Sequence, residues 1–253
     1  MKFILISLLI GVCLTATTFT WPAADRTVTV SEPIIVKAGE VFDGFLQNEN
    51  KWTRYERGID GLGDCKSIDS GRNDAVFILN KDATLKNVIL GGKSIKHVYC
   101  AEEGCTVENV YWEDVCDDAV TIENGVDRNA KYHIKGGAAR NAIGSIIQHN
   151  SAGTVYISDF YAENAGKLYR ACGNCKKGYQ AKRDAVLTNI TTKDIMVLAG
   201  YNQNFGDTVT LKNVYTTNGH ACRAFNGRND GKEPTAIGYQ CEASGTISSC
   251  TCS

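Results

Sequence analysis

The chain has 253 residues, of which 43% are hydrophobic and 22% are charged, and its formal net charge is −1 at pH 7. This length is sufficient for one sizeable core, and no Pro/Gly/Ser-rich linker divides it. A balanced charge without a basic face excludes the electrostatic footprint that nucleic-acid binding needs, so we expect no nucleic-acid partner.

The N-terminus has the features of a secretory signal peptide over residues 2–20. Lys2 supplies the positive charge, residues 3–14 form an apolar run, and Ala16 and Thr20 are small residues where cleavage can fall. The run is short for a membrane span, and no other segment approaches the roughly 20 apolar residues that a span needs. We predict a signal peptide over 1–20, with cleavage about 16–20. Residues 21–253 are then one soluble, secreted domain without a membrane partner.

Cysteine usage also indicates an exported protein. Of the 11 cysteines, Cys13 lies in the predicted signal, which leaves ten for up to five disulfide bonds. Cys172 and Cys175 form a C-x-x-C pair that a redox or zinc site would also use. Because no second C-x-x-C pair is present, the exported context favours a disulfide. Asn189 begins a glycosylation sequon, which has meaning only in a eukaryotic secretory pathway.

A weak internal repeat runs through residues 84–216. Its shared core is an apolar residue, a polar residue, Asn or Asp, and another apolar residue. The marker positions are separated by 22, 50, 30 and 24 residues, and they are Asn87, Asn109, Asp159, Asn189 and Asn213. The gap of 50 hides one more unit near residues 132–137. A period of about 22 to 30 residues is typical of a solenoid.

Local propensity decides between the types of solenoid. The units are short, rich in Val, Ile, Thr and Tyr, and bounded by Gly, Asn and Asp, and none shows a sustained helical stripe. We therefore predict an all-β, right-handed parallel β-helix with about three strands per coil, stapled by disulfides. Asn at a fixed position fits a tight turn, because Asn tolerates left-handed backbone geometry. The alternative is a β-sandwich with coincidental spacing.

Residues 113–118 contain four carboxylates, namely Glu113, Asp114, Asp117 and Asp118. Clustered carboxylates repel one another, so a metal ion, a basic partner or solvent must offset them. Lys167 and Arg170 follow about two coils later. Because stacked coils rise by only about 4.8 Å, these cations can face the acids in space.

Segments along most of the chain resemble the secreted pectate lyases that are built on a small single-domain β-helix (polysaccharide lyase family 3). The resemblance extends over roughly residues 34–245, and its segments are 38–44, 85–91, 110–115, 117–121, 136–139, 148–150, 153–154, 166–170, 172–175 and 202–208. It implies a parallel β-helix that cleaves polygalacturonate by β-elimination outside the cell, with Ca²⁺ as cofactor. We expect a monomer whose only partner is this acidic polysaccharide.

In the family's reaction, a base removes the proton at C5 next to a carboxylate, and the glycosidic oxygen leaves. A calcium ion and cationic side chains neutralise that carboxylate. The resemblance assigns Asp117 and Asp118 to the paired calcium carboxylates, with Asp117 where a Glu is more usual. It assigns Lys167 and Arg170 to the family's substrate-carboxylate and catalytic cations.

Three further residues receive structural roles from the same comparison of motifs. Glu113 and Asp114 belong to the family's Trp-Glu-Asp-Val segment, and we expect them to support the coil and its turn rather than bind metal. We interpret His149 as a buried hydrogen-bonding residue.

Three positions depart from the family pattern. Lys96 stands where the family has an Asp that is a third calcium ligand, and Glu123 stands where close relatives have Lys. This looks like a reciprocal swap, so Glu123 either pairs with Lys96 or supplies the third calcium carboxylate. Ser145 stands where the family has a lysine that is a leading candidate for the base. Proton abstraction is then left to Lys167 or Arg170, although arginine is normally always protonated.

Two function classes follow. The first is a calcium-dependent pectate lyase that degrades plant cell wall pectin. The second is a catalytically weakened or inactive homologue that binds acidic glycan or acts as a secreted host-interaction protein. The retained acids and cations favour the first class, whereas Lys96 and Ser145 favour the second.

Overall fold

Segments rich in β-branched and aromatic residues form β-strands in every unit of the repeat. A computed structural model describes residues 19–59, 71–123, 125–241 and 244–253. Two short 3-10 helices lie at Arg72–Asp74 and Gln203–Phe205. The strands are β1 Arg26–Thr29, β2 Ile34–Val36, β3 Val41–Asp43, β4 Thr53–Glu56, β5 Phe77–Leu79, β6 Ala83–Leu90, β7 Val98–Cys100, β8 Cys105–Trp112, β9 Val120–Ile122, β10 Lys131–Arg140, β11 Ser145–His149, β12 Gly153–Ala171, β13 Arg183–Asn202, β14 Thr208–Thr216, β15 His220–Asn226, β16 Thr235–Gln240 and β17 Gly245–Cys252.

The strands stack in parallel between successive coils and form three faces. The first face contains β2, β5, β7, β9 and β11, followed by the C-terminal parts of β12 and β13 and then β15. The second face contains β3, and then β6, β8, β10, β12, β13 and β14 at their N-terminal parts. The third face contains β1, β4 and the C-terminal or middle parts of the longer strands. The predicted parallel β-helix is confirmed, and the alternative of a sandwich is wrong.

The repeat positions the core, because equivalent apolar residues of successive coils lie directly above one another. One such stack runs through the second face and is fully buried; its members are Leu85, Val107, Ile134, Ile157, Leu187 and Leu211. Burying one aliphatic side chain of this size contributes about 1.5–3 kcal/mol. Such stacks through the interior explain why a weak sequence repeat specifies a regular coil.

The marker residues of the repeat all adopt left-handed backbone geometry, with φ between 51° and 56°. Their side chains form ladders: Asn87 Nδ2 donates to Asp43 Oδ1 at 2.8 Å, and Asn109 Nδ2 donates to Asn87 Oδ1 at 2.7 Å. In the hidden unit, the glycine next in register to Asn109 is Gly136, with φ of 64°. The predicted tight turn and the predicted extra unit are therefore both confirmed.

Replacing Asn109 with alanine is expected to lower the free energy of unfolding by about 2 kcal/mol, because the left-handed backbone is strained and the amide ladder is lost. The matched variant Asn109→Gly loses the ladder but tolerates the backbone, so its loss is smaller. Urea unfolding of both variants measures the difference. Equal losses would show that backbone geometry does not set the choice of residue here.

Disulfide bonds fasten the coils and the C-terminal strands. The structure contains Cys100–Cys105, Cys172–Cys175, Cys222–Cys252 and Cys241–Cys250, and Cys116 is also disulfide-bonded. The C-x-x-C pair is therefore a disulfide, as predicted. The antiparallel pairs β14–β17 and β15–β16 close the C-terminal end of the described coils.

Two predictions lie largely outside the described residues. Most of the predicted signal segment 2–20 and Cys65 belong to the parts of the chain that the structure leaves undescribed. The division into a signal and one mature domain stays a prediction. Across the described ranges, no helix combines the length and the apolar character needed to cross a membrane.

Candidate active site

The first face repeats one local pattern at the point where the predicted site residues lie. In each coil two consecutive side chains are buried in the interior, and the residues just before and just after them flank this pair. Examples of buried pairs are Ile146 with Ile147 and Leu168 with Tyr169. Two consecutive inward residues break the alternation of a regular strand, so positions three apart can share one surface.

This pattern aligns the flanking residues in two columns across the coils. The first column, formed by residues before the buried pairs, contains Lys96, Asp118, Ser145, Lys167, Val197 and His220. The second column, formed by residues after the buried pairs, contains Tyr99, Thr121, Gln148, Arg170, Gly200 and Arg223. The predicted acids and cations therefore lie on one surface, with the acids at one end and the cations at the other.

At the acidic end, a lysine bridges the predicted calcium carboxylates. Lys96 Nζ lies 2.8 Å from Asp117 Oδ2 and 3.2 Å from Asp118 Oδ2, and it donates to Thr121 Oγ1 at 3.3 Å. Ser145 Oγ donates to the other oxygen of Asp118 at 2.9 Å. Burial alone would lower the pKa of Lys96, but the charges of Asp118 and Asp117 outweigh burial and raise it. Lys96 is therefore a fixed cation between the two acids.

Glu123 lies apart from this group. Its carboxylate accepts hydrogen bonds from Tyr99 Oη and, at 3.0 Å, from Asn150 Nδ2. In the parallel register Lys96 lies opposite Asp118, whereas Glu123 is five residues further along the chain. The alternative in which Glu123 pairs with Lys96 is therefore wrong, because the ion pairs of Lys96 go to Asp117 and Asp118.

At the basic end, Lys167 lies among positive charges. Burial, Arg170 and Arg223 together lower the pKa of Lys167 below its usual range. The side chain of Lys167 passes over Gly200, where a Cβ would be in ordinary contact with it, 3.5 Å from Lys167 Cδ. The guanidinium of Arg223 lies 5.3 Å from the centre of the Phe225 ring, which helps to hold it in place. Among the described residues, neither Lys167 nor Arg170 forms an ion pair.

An open cleft of about 460 Å³ extends from the acidic end to Arg170. It is lined by Asp117, Asp118, Gln148, Asn150, Arg170, Cys172, Asn174, Cys175, Lys176, Gly231 and Glu233. A second space of about 260 Å³ adjoins it along Asn150, Cys175 and Lys176 and reaches Glu123 and Tyr179. The two form a continuous polar groove, in which an extended ligand can lie across several coils.

This arrangement can bind an anion and remove a proton beside it. An amine whose pKa is lowered is available as a general base, and adjacent guanidinium groups stabilise negative charge that develops next to it. Arg170 lines the cleft, and Lys167 precedes it in the same strand. Lys167 is the described residue that combines a reactive amine with a lowered pKa and a position at the site.

Two of the three residues that were expected to have structural roles, His149 and Glu113, make contacts of that kind, whereas the role of Asp114 stays a prediction. His149 is fully buried, its Nδ1 lies 2.9 Å from Tyr169 Oη, and burial lowers its pKa to about 3. The prediction of a buried hydrogen-bonding histidine is confirmed. Glu113 accepts two hydrogen bonds from Arg54, at 2.5 and 2.7 Å, and so links its own coil to the coil two turns earlier.

Sequence reasoning missed the contacts of Lys96 and the contributions of Arg223 and Lys176. The signal for Lys96 was its distance of 22 residues from Asp118, which equals the shortest spacing of the repeat. Arg223 follows the buried pair Ala221 and Cys222, in the same position as Arg170 in its own coil. Lys176 has no repeat signal, because it lies in the loop between β12 and β13.

The family model described as pectate lyase matches residues 18–232. The chain is similar to the probable pectate lyase F of Aspergillus terreus, with 43% identity over 210 residues that cover 83% of this chain and 84% of the relative. It is also similar to pectate lyase E of Emericella nidulans, with 42% identity over 217 residues that cover 85% and 79%, respectively.

Solved structures give a consistent result. The fold is similar to the catalytic domain of pectate lyase PelI from Erwinia chrysanthemi, with a TM-score of 0.67, 26% identity, and coverage of 83% of this chain and 92% of that one. A second similar structure is PelI from the same organism in complex with tetragalacturonic acid, with a TM-score of 0.62 and 25% identity. That match covers 81% of this chain and 65% of the other.

Proposed function

Because the chain belongs to the pectate lyase family, we propose that it cleaves polygalacturonate by β-elimination and degrades plant cell wall pectin. The predicted family and the predicted enzyme class are confirmed by the relatives described above. One observation carries the assignment of roles: the charges of Arg170 and Arg223 help to lower the pKa of Lys167, and Arg170, three residues later in the same strand, lines the groove. Of the two function classes, this favours an active enzyme over a weakened glycan-binding homologue.

Among the charged residues of the groove, two cations support an acidic polysaccharide as substrate. Arg170 and Lys176 line the groove, and neither forms an ion pair among the described residues, so both are available to carboxylates of a bound chain. A solved structure of PelI holds tetragalacturonic acid, an oligomer of this type. We assign Arg170 to the carboxylate of the sugar that reacts, because it lines the groove and follows Lys167 by three residues in β12.

The reaction needs one proton transfer and one bond cleavage. Neutral Lys167 Nζ takes the proton from C5, the electron pair forms the C4–C5 double bond, and the C4–O bond breaks. The leaving oxygen takes a proton from water, and the protonated amine returns its proton to solvent. Arg170 stabilises the charge that accumulates on the carboxylate while C5 loses its proton. Arg223 disfavours the protonated form of Lys167 and thus acts as a positioning residue.

Family resemblance also predicts calcium dependence, with Asp117, Asp118 and Glu123 as ligands. A calcium ion takes six to eight oxygen ligands at about 2.3–2.6 Å. The described residues do not fit an ion between Asp117 and Asp118, because Lys96 Nζ contacts one oxygen of each carboxylate and Glu123 is bound to Tyr99 and Asn150. We therefore assign no step of the reaction to calcium at this pair.

We also propose that the enzyme acts outside the cell, as a monomer. Four disulfides among the described residues support an oxidising compartment, and the predicted signal supports export. Detection of the protein in culture medium and light scattering of the purified mature chain test these two statements. Retention in the cell, or a stable dimer, would contradict them.

The proposed reaction has a direct assay. The purified mature chain is incubated with polygalacturonate over a range of pH and calcium concentrations, and the ultraviolet absorbance of the unsaturated product is followed. We expect absorbance to rise with time and the polymer to shorten. Binding of polygalacturonate without any unsaturated product would contradict the lyase and support the glycan-binding alternative.

The pH dependence of the rate is expected to depend on Arg223. Lys167 must be neutral to act as base, so kcat/KM rises with pH through its pKa, which lies below the usual lysine value of about 10.4. In Arg223→Gln one repelling charge is absent, so this pKa rises and the profile moves to higher pH. Arg128→Gln, which changes an exposed arginine, is the matched control. An unshifted profile would contradict the role of Arg223.

A further inference from the structure

Lys96 forms a complete set of contacts at the predicted calcium carboxylates. An ammonium group has three hydrogen-bond donors. In this structure its three nearest acceptors are Asp117, Asp118 and Thr121, at 2.8, 3.2 and 3.3 Å. No donor of Lys96 is left for a ligand, so the group neutralises the acids without reaching into the groove.

The position of Lys96 is fixed by the stacking of coils. It precedes β7 and is one coil away from Asp118, with which it shares the first column. Its side chain is 9% exposed and that of Asp118 is 11% exposed, so the pair is nearly removed from solvent. Ser145 Oγ and Thr121 Oγ1 also donate to Asp118, which leaves this carboxylate with hydrogen bonds on both oxygens. A carboxylate satisfied in this way is not organised to receive a second cation.

We propose that Lys96 takes the place of a calcium ion at Asp117 and Asp118, so that this enzyme carries its own cation there and does not need calcium at that pair. The catalytic part of this statement rests on the proposed lyase function, whereas the metal-binding part does not. Two departures from the family pattern then have a common explanation. They are Lys96, in place of a third acidic ligand, and Ser145. Both side chains contact Asp118 and hold it in place.

The replacement has a consequence for substrate binding. A calcium ion has ligand positions to spare and can bridge a protein carboxylate to a substrate carboxylate. The ammonium of Lys96 cannot, because its donors are used within the protein. Contact with the substrate's carboxylates near this end must come from cations that line the groove, and Arg170 and Lys176 are the described residues in that position.

The experiment compares calcium binding by wild type and by Lys96→Asp, using calorimetry and melting temperature with calcium or with a chelator. We expect wild type to show no calcium binding that depends on the acid pair, and the same melting temperature in both conditions. Lys96→Asp places three carboxylates together, so it is expected to bind calcium at least about tenfold more tightly than wild type and to melt higher with calcium. Lys212→Asp, on an exposed position of β14, controls for the change in net charge.

Asp117→Asn provides a second test that does not depend on the folding of Lys96→Asp, since Asp117 is 36% exposed. Calcium binding by wild type that is lost in Asp117→Asn would overturn the proposal, and so would a folded Lys96→Asp that binds no calcium. Lyase activity, measured with and without chelator, distinguishes failure of this proposal from failure of the proposed lyase function. Activity of wild type that persists in chelator supports the proposal. Activity that requires calcium bound at Asp117 overturns it while leaving the lyase intact. The absence of any activity contradicts the lyase but leaves the binding result standing.

Discussion

Lys167→Met is expected to lower kcat on polygalacturonate by about 10²–10⁴-fold, the usual contribution of a general base. The family resemblance predicts a lysine at the position of Ser145, and the register places Lys167 directly opposite Ser145 on the next coil. Lys167 is thus the lysine nearest to the missing one, and its neighbours Arg170 and Arg223 favour its neutral form. Initial rates from the ultraviolet absorbance of the unsaturated product measure the loss.

The variant Lys167→Arg distinguishes two roles of Lys167, that of a base and that of a cation which only binds substrate. Arginine keeps the charge but is not deprotonated in proteins. If Lys167 is the base, this variant is as impaired as Lys167→Met, and KM changes much less than kcat. Substantial activity in Lys167→Arg would contradict the role of base and leave Lys167 as a cation that only binds substrate.

Stability distinguishes lost chemistry from lost folding. The pKa of Lys167 is lower in the folded state than in the unfolded chain, so the unfolded chain binds more protons and stability rises with pH through this range. Below the folded pKa, the charged lysine therefore opposes folding. Lys167→Met removes this penalty and is expected to be at least as stable as wild type at neutral pH. Lys193→Met, at an exposed position of β13, is the control for removing a lysine, and we expect it to retain full activity.

The second large effect is expected at Arg183, which begins β13 and has no exposed surface. Its guanidinium nitrogens donate to several oxygens of the preceding loop and of a neighbouring coil; these are Gln180 Oε1 at 2.7 Å, Ala181 O at 3.0 Å, Tyr179 O at 2.9 Å and Asn150 O at 2.6 Å. Arg183→Met removes all four of these hydrogen bonds, and it replaces a buried charge that interacts with buried Asp207. We expect the free energy of unfolding to fall by about 3–5 kcal/mol.

Loss of Arg183 is also expected to affect the groove. The loop between β12 and β13 carries Cys175 and Lys176, which line the groove, and Arg183 connects that loop to Asn150. Arg183→Lys retains the charge but lacks the planar fork, so we expect an intermediate loss of stability. Arg128→Met, at an exposed arginine, should leave the denaturation midpoint unchanged. A similar midpoint for Arg183→Met and wild type would contradict this account of the loop.

The fold was largely predictable from the sequence, because each coil needs apolar residues and a turn residue at equivalent positions. Marker residues such as Asn87 and Asn109 recur where the backbone is left-handed, and apolar residues recur where coils stack. The final strands β16 and β17 were not predictable in this way. They pair in antiparallel fashion with β15 and β14, so they do not carry the repeat that marks a coil.

The membership of the site was partly predictable, whereas its internal contacts were not. Asp117, Asp118, Lys167 and Arg170 were identified from their motifs, and the structure brings them to one surface. The ion pairs of Lys96 depend on register between coils, which a sequence fixes only once the number of residues per coil is known. Two consecutive buried residues in each coil also break the alternation that sequence patterns rely on.

Register also explains how a site forms on a rod of coils. Each coil contributes one residue to the first column and one to the second, before and after its buried pair. A single substitution therefore changes one member of a column and leaves the other members in place. Relative to the pattern that the family resemblance implies, Lys96 and Ser145 are such single substitutions, and Arg170 keeps its place in the second column. The register places Lys167 opposite Ser145, where a substitute for the lysine expected at position 145 would lie.

The most direct test is the initial rate of unsaturated product formation from polygalacturonate by the wild-type chain in excess chelator at alkaline pH. Lys167 as base and Lys96 as the cation at the acid pair together predict a rate that is similar to the rate with added calcium. No product in chelator, with full activity restored by calcium, would contradict this account of the site.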